Sequence, residues 1–386
     1  MAKRVIILGG GVAGMSAAHE LVERGFQVTV YEKNQIPGGK ARSVPVPNTA
    51  KEGNRDLPGE HGFRFFPSFY RHVTDTMKRI PYGTNKQGVF DNLVAGSISE
   101  ITQYRKQGVI TVSHFPRSFQ DLKDMLQGRK EFETIGLKPG ELEFFAERLW
   151  QYLTSCERRR LDELEKIGWW AYVDAGSKSR AYQKFLAEGI TRSLVAADAR
   201  IANARVEGHI GTLLMMGMAE PWVNTDRLLK GPTNDVWINP WLVYLQKKGV
   251  GYHLETCIDT IQCDGKTITG VTLRRHDGTT FDDRADYYIL AVPVEQAARL
   301  FAKERHGNLL KADPTLQGVI ELGSHVAWMN GIQFYLKQDV PLIHGHMIHI
   351  DSQWSLTSVS QGQFWQGFNW SGAGQGNVNG ILSVDI

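Results

Sequence analysis

The chain has 386 residues, 42% hydrophobic and 22% charged, enough apolar material for two domains with cores of their own and a composition that excludes disorder. Its 44 basic and 41 acidic residues leave a formal charge of +3, too balanced for a polyanion partner, so nucleic acid is not expected. The 3 cysteines, Cys156, Cys257 and Cys263, form no CxxC pair, which argues against a disulfide framework or zinc site and fits a reducing, cytoplasmic compartment.

Met1-Ala2-Lys3-Arg4 runs straight into a strand pattern and lacks the apolar region of a signal peptide. Arg4 to Leu8 reads as a buried parallel strand, Val12 to Arg24 as a helix closed by Gly25, and Gln27 to Glu32 as a second strand. An aromatic stretch follows, with Phe63, Phe65, Phe66, Phe69 and Tyr70, and then a polar loop region to about residue 118. From Ser118 to Pro221 the pattern is helical, with amphipathic runs at Glu141 to Leu153 and Leu161 to Tyr172. The longest apolar run there, Ile210 to Met218, is shorter than the roughly 18 residues of a membrane span, so any membrane contact is expected to be peripheral.

Between Gly251 and Val292, short β-branched runs alternate with Asp264-Gly265 and Asp277-Gly278, which predicts an antiparallel meander with tight turns. It ends in the apolar run Ala285 to Ala291, a strand able to rejoin the first sheet. Strand-like alternation returns at Gly331 to Leu336 and Met347 to Ile350. Gly380 to Ile386 reads as a strand cut short, which raises the expectation of a fragment.

Gly9, Gly11 and Gly14 form GxGxxG between a strand and a helix, the context in which that spacing carries meaning. Gly9 permits the tight turn, Gly11 lets backbone approach a pyrophosphate, and Gly14 lets helix and strand pack closely. With Val12 and Ala13, these residues are the expected anion contacts at a positive helix end. Glu32, 18 residues beyond Gly14 and followed by Lys33, is placed to accept from ribose hydroxyls and to repel a 2′-phosphate. A second glycine pair with cations, Gly38-Gly39-Lys40-Ala41-Arg42, offers more backbone and charge to a long dinucleotide.

At these residues the sequence resembles the FAD-dependent amine oxidase and phytoene desaturase superfamily. It looks closest to bacterial phytoene-desaturase-like and hydroxysqualene-dehydroxylase-like proteins. Lys40 stands where the family's glycine pair is usually followed by Arg, which loses a bidentate fork and keeps the charge. The resemblance implies that Ile258 meets the adenine, that Ala291 and Pro293 flank the dinucleotide, and that Glu60, His61 and Gly62 lie along the flavin. It also implies an α/β fold: a Rossmann-type FAD-binding domain with β-meander from 1–75 and 235–305, and a mixed α+β substrate domain from 76–234 and 306–386. The family's C-terminal Gly-Asp segment has no counterpart before Ile386, which again raises the expectation of an incomplete chain.

The implied function is FAD-dependent oxidation of an apolar isoprenoid-type small molecule, by desaturation, dehydroxylation or isomerisation. A peripheral contact with the inner face of a membrane would supply such a substrate. The alternatives are a flavin amine oxidase, with Lys303 or Lys311 holding a water near the flavin, and a non-catalytic FAD- or lipid-binding subunit. Glu60, His61 and Arg64 are the candidate catalytic side chains, although the resemblance favours backbone contact there. The aromatics from Phe63 to Tyr70 fit a substrate channel or ordinary core equally. His344, His346 and His349 with Asp351 do not predict a metal site, because in a strand His349 points away from the other two. Arg158-Arg159-Arg160 beside acidic residues reads as a solvated face, and Cys257 as a small filler.

Overall fold

Strand β1 (Arg4–Leu8) has Val5, Ile6, Ile7 and Leu8 all buried, so it must be covered on both faces. Period-2 alternation divides the work. Val5 and Ile7 face a cluster with Met15 and Ala18 of helix α1 (Val12–Glu23) and with Trp237, Trp241 and Leu245. Ile6 and Leu8 face Val271 and Leu273 on the other side. In this computed structural model, which describes residues 2–105, 108–112, 136–220, 224, 226–303 and 307–386, β1 pairs in parallel with β2 (Gln27–Tyr31) and with Tyr287–Leu290. Strand Gly251–His253 joins the far side of β2, also in parallel.

The meander is the antiparallel sheet of Thr256–Cys263, Ile268–Arg275 and Thr280–Asp283. The expectation that it starts at Gly251 is corrected: Gly251–His253 belongs to the parallel sheet. Its local pattern resembles a hairpin strand, but its position is set by pairing with β2 and by the Tyr252 hydroxyl, which donates to the Gly10 carbonyl at 2.7 Å.

A second, six-stranded sheet has the order Gly331–Leu336, Gly380–Asp385, Thr357–Ser360, Met347–His349, Ile98–Thr102, Val109–Val112. The expected loop region up to residue 118 is therefore overturned in its described part, which also holds Leu93–Ala95, paired with Arg227–Leu229. These strands are short. Ile98–Thr102 and Val109–Val112 pair with each other, but the pair joins the sheet through residues far away in sequence: Met347 pairs with Glu100, and the Ser97 amide donates to the His344 carbonyl at 2.9 Å. Residues 106, 107 and 113–118 of that expectation, and 118–135 and 221 of the helical one, lie outside the described residues.

Helix Glu141–Leu153 forms as its periodicity requires, burying Phe145, Leu149 and Tyr152 against Trp169, Tyr182 and Ala204. The expected helix from Leu161 to Tyr172 is broken. A π-type turn covers Arg160–Leu164, and a short helix Trp169–Tyr172 restarts after Gly168, whose backbone is extended and bridges to Asn203. The Trp169 amide donates to the Ala202 carbonyl at 2.8 Å, so tertiary pairing takes the residues that periodicity assigned to one helix. In the basic triplet, Arg158 and Arg159 pair with Asp162 and Glu163, while Arg160 lies over the Tyr152 ring at 4.7 Å.

Helix Ala204–Ala219 buries Glu207 fully, with no partner for either carboxylate oxygen among the described residues. Burial alone pushes its pKa up to about 7. The folded state thus holds this proton more tightly than the unfolded chain does. Stability is fullest below the ordinary glutamate range and is lost as pH rises through 7. Glu207→Gln should remove the loss, leaving the variant more stable than the parent at pH 8 by roughly 3 kcal/mol at most. Urea denaturation at pH 5 and pH 8 checks this, and equal pH dependence in both proteins would contradict it.

Candidate active site

The turn after β1 is built from approaches that a side chain forbids. Gly9 has φ +111°, and a Cβ there would lie 2.3 Å from the Ala291 carbonyl oxygen. A Cβ on Gly14 would lie 1.9 Å from the Gly9 carbonyl oxygen, so α1 packs onto the strand end at backbone distance. Gly11 precedes α1, which has no side-chain cap and no acidic residue in its first turn. Its first backbone bond is Met15 to the Gly11 carbonyl, at 2.9 Å. The amides of Val12, Ala13 and Gly14 thus form an uncompensated positive end.

The second glycine pair closes over this end. Gly38, at φ +103°, donates to the Gly10 carbonyl at 3.0 Å, and a Cβ on Gly39 would sit 2.8 Å from Gly11 Cα. Lys40 is exposed, with Nζ 3.8 Å from the Glu295 carboxylate. Arg42 turns back to the Gly39 carbonyl at 2.7 Å, beside Ala41 in the same short turn. Glu32 is buried, one oxygen accepting from the Gly10 amide at 2.8 Å and the other from the Asn34 amide at 2.9 Å, while Lys33 is exposed.

The distant segments arrive at the same place. Thr256 donates to the Glu32 carbonyl at 2.9 Å, which brings Ile258 to the end of β2, where its side chain joins the cluster of Leu8 and Tyr31. Ala291 donates to Leu8 at 2.8 Å, and the Pro293 carbonyl accepts the first amides of helix Val294–Lys303. An uncapped helix end, backbone cradles that a Cβ would fill, and a buried acid beside them fit a dinucleotide with a pyrophosphate and a free ribose edge.

Along the neighbouring segment, Glu60 is buried and fully engaged. Its Oε1 accepts from Ser43 Oγ at 2.6 Å and the Thr233 amide at 2.8 Å, its Oε2 from Thr233 Oγ1 at 2.9 Å. Burial raises its pKa, opposed by these bonds. His61 is exposed, its pKa lowered by desolvation and by the Arg64 and Arg42 charges. Gly62, at φ +74°, has no room for a side chain, because Asp385 Oδ1 fills that space. Arg64 donates to the carbonyls of His61 and Lys40 at 2.8 and 3.1 Å, tying this segment to the glycine loop.

Other candidates are dispersed. Lys303 is paired with Asp259 on the meander at 3.2 Å, and helix Asn308–Ala312, which carries Lys311, is attached to Cys263 at the far end of that hairpin. Both lysines thus lie on elements attached to the meander. The aromatic set divides, with Phe66 in the core against Trp237, Phe63 and Phe65 against His346, and Tyr70 exposed. No group of three metal-ligating side chains occurs among the described residues; His349 is held by Thr102 and Ser358, and His346 by Asp226. Asp226, Thr233, Gln333, Tyr252 and Asp385 were not legible as site residues, because each is recruited by long-range pairing.

A family model for flavin containing amine oxidoreductases matches residues 12–321. The chain belongs to that family. Its cofactor is FAD, and its architecture is the Rossmann-type α/β fold of the family. A probable zeta-carotene desaturase of Synechococcus elongatus is 25% identical over 343 residues, 83% of this chain and 65% of that protein. A 4,4'-diaponeurosporene oxygenase of Staphylococcus aureus is 24% identical over 319 residues, 76% of this chain and 56% of that protein. The chain thus spans less than two thirds of either relative. An oxidoreductase from Methanosarcina mazei superposes with a TM-score of 0.64 at 14% identity, over 99% of this chain and 78% of that one, a likeness of fold.

Gly9→Ala should strip most of the FAD from the purified protein, since the new Cβ would displace either the turn or the Ala291 carbonyl. Gly318→Ala, at a site with nothing within 4 Å, should keep it. The ratio of visible flavin absorbance to protein absorbance decides, and equal ratios would count against this site.

Proposed function

We propose that this chain is the FAD-dependent oxidoreductase core of an enzyme acting on an apolar isoprenoid of carotenoid or squalene type, by desaturation, dehydroxylation or isomerisation. The observation that carries this reading is the carotenoid chemistry named for both relatives, each aligned over three quarters or more of this chain. Bound FAD supplies a two-electron acceptor for hydride at N5. The protein's share is binding, orientation and exclusion of water.

In this reading the amides of Gly11, Val12, Ala13 and Gly14 hold the pyrophosphate, with Gly9, Gly38, Gly39, Lys40, Ala41 and Arg42 shaping and charging its enclosure. Glu32 accepts from the ribose, next to Lys33, while Ile258, Ala291 and Pro293 border the nucleotide. Glu60, His61 and Gly62 present backbone to the flavin. The Glu60 carboxylate, occupied by Ser43 and Thr233, acts as a tie and not as an acid or base. Residues 1–75 and 235–305 make the FAD domain, whose Phe63 and Phe65 face the second sheet, and 76–234 with 306–386 form the substrate domain.

No helix among the described residues is long and apolar enough to cross a membrane. The exposed side chains Trp328, Met329, Ile332 and Phe334, on and before the edge strand Gly331–Leu336, offer an apolar surface for peripheral contact. Adding squalene- and carotenoid-sized isoprenoids and polyamines to the oxidised protein without oxygen tests the substrate class. Bleaching of the flavin by an isoprenoid is expected, bleaching only by a polyamine would move the chain to amine oxidation, and bleaching by neither would favour a binding subunit.

A further inference from the structure

Asp226, just before strand Arg227–Leu229, and His346, just before strand Met347–His349, meet in a buried pair joined from His346 Nδ1 to Asp226 Oδ2. A carboxylate only accepts, so Nδ1 carries the hydrogen of this bond, and whenever the ring is neutral its lone pair lies at Nε2. Among the described residues, that Nε2 and the second oxygen of Asp226 are buried with no hydrogen-bond partner. Leaving such atoms bare costs about 1–3 kcal/mol each, and native structures accept that cost chiefly where another group arrives. His349, by contrast, has both ring nitrogens bonded at 2.8 Å.

The pair also has a defined address. The His346 ring lies 4.8 and 5.0 Å from the rings of Phe63 and Phe65, immediately beyond Gly62. Asp385, from the adjoining strand Gly380–Asp385, occupies the space beside Gly62 that a side chain would have filled. Burial pushes the Asp385 carboxyl up to about 6, opposed by Arg64, the Phe63 amide and His346. The titratable or charged groups on the elements packed around His346 are Asp226, Asp385, Arg64 between Phe63 and Phe65, and Glu100, whose amide donates to the His346 carbonyl at 2.9 Å. A histidine fixed by a carboxylate at one nitrogen and bare at the other has the arrangement of a general base with its orienting partner.

We propose that His346 accepts the substrate's proton and that Asp226 is its positioning residue. This rests on the reading that Glu60 to Gly62 lie along the flavin. For a desaturation, one substrate C–H bond breaks and its electron pair leaves with hydrogen to the flavin. The neighbouring C–H bond gives its electrons to the new C=C bond and its proton to His346 Nε2. The substrate loses two hydrogens, the flavin gains two electrons, and the imidazolium, held by Asp226, returns its proton to solvent.

The FAD-loaded parent, His346→Gln and Asp226→Asn are compared in two ways. Without substrate, the flavin midpoint potential is followed against pH. Negative charge on the reduced flavin raises the proton affinity of a nearby imidazole, so the parent plot should carry a bend that His346→Gln lacks and that Asp226→Asn moves to lower pH. With an isoprenoid that bleaches the parent, both variants should bleach more slowly, His346→Gln by roughly 10²- to 10⁴-fold, with little change in substrate dissociation constant. Parent-like rate and pH profile in His346→Gln would overturn the proposal and leave the substrate class standing. If no isoprenoid bleaches the parent, the substrate reading fails, and a bend retained in His346→Gln would still overturn the role of His346. Should His346→Gln not retain FAD, Asp226→Asn decides: an unmoved bend overturns the assignment.

Discussion

The Gly9 turn lies so close to the Ala291 carbonyl, and the Gly39 turn so close to Gly11, that three backbone segments share a space from which Cβ atoms are excluded. The rest of the site depends on that exclusion. It lets the parallel strand ending at Leu290 reach the same depth as β1, and it leaves the first turn of α1 open to an anion. It also places the buried Glu32 against the Gly10 amide, where a larger residue at position 10 would collide with Tyr252. Glycine here is a condition of approach, and a pyrophosphate can be met by backbone alone only where that condition holds.

From the glycine loops a polar network runs into the second sheet. Ser43 and Thr233 converge on the Glu60 carboxylate, and the Glu60 amide donates to Gln333 Oε1 at 2.7 Å. Gln333 donates onward to Gln361 and Ser383 at 3.2 and 2.9 Å, and the Ser383 hydroxyl donates to Gln361 at 2.7 Å. Linked buried bonds of this kind are costly to leave incomplete and rigid when complete. They tie the segment carrying Glu60, beside the glycine loops, to the second sheet. Beside this network, His346 Nε2 is buried with no hydrogen-bond partner among the described residues.

Much of the cofactor side was legible from sequence because its signals are local. Glycine spacing, a strand before it, a helix after it and an acid at the end of the next strand all lie within the first 32 residues. The turns at Asp264-Gly265 and Asp277-Gly278 marked the meander for the same reason, and both glycines have positive φ. The second sheet was not legible along Ile98–Thr102 and Val109–Val112, where Ser99, Glu100, Thr102 and Thr111 leave no long alternation and the strand that joins the pair to the sheet begins at Met347. The helix expected from Leu161 failed at Gly168, where pairing with Asn203 overrides periodicity. Asp226 and His346, 120 positions apart, share no sequence pattern at all.

A crystal structure of the FAD-loaded chain tests the central claim most directly, by locating the dinucleotide relative to these backbone approaches. The account predicts the pyrophosphate against the amides of Val12 to Gly14, the ribose at Glu32, and the ring along Glu60 to Gly62 with His346 within reach of its substrate face. A flavin bound elsewhere, or a pyrophosphate held by side chains away from the Gly11 and Gly39 turns, would contradict it.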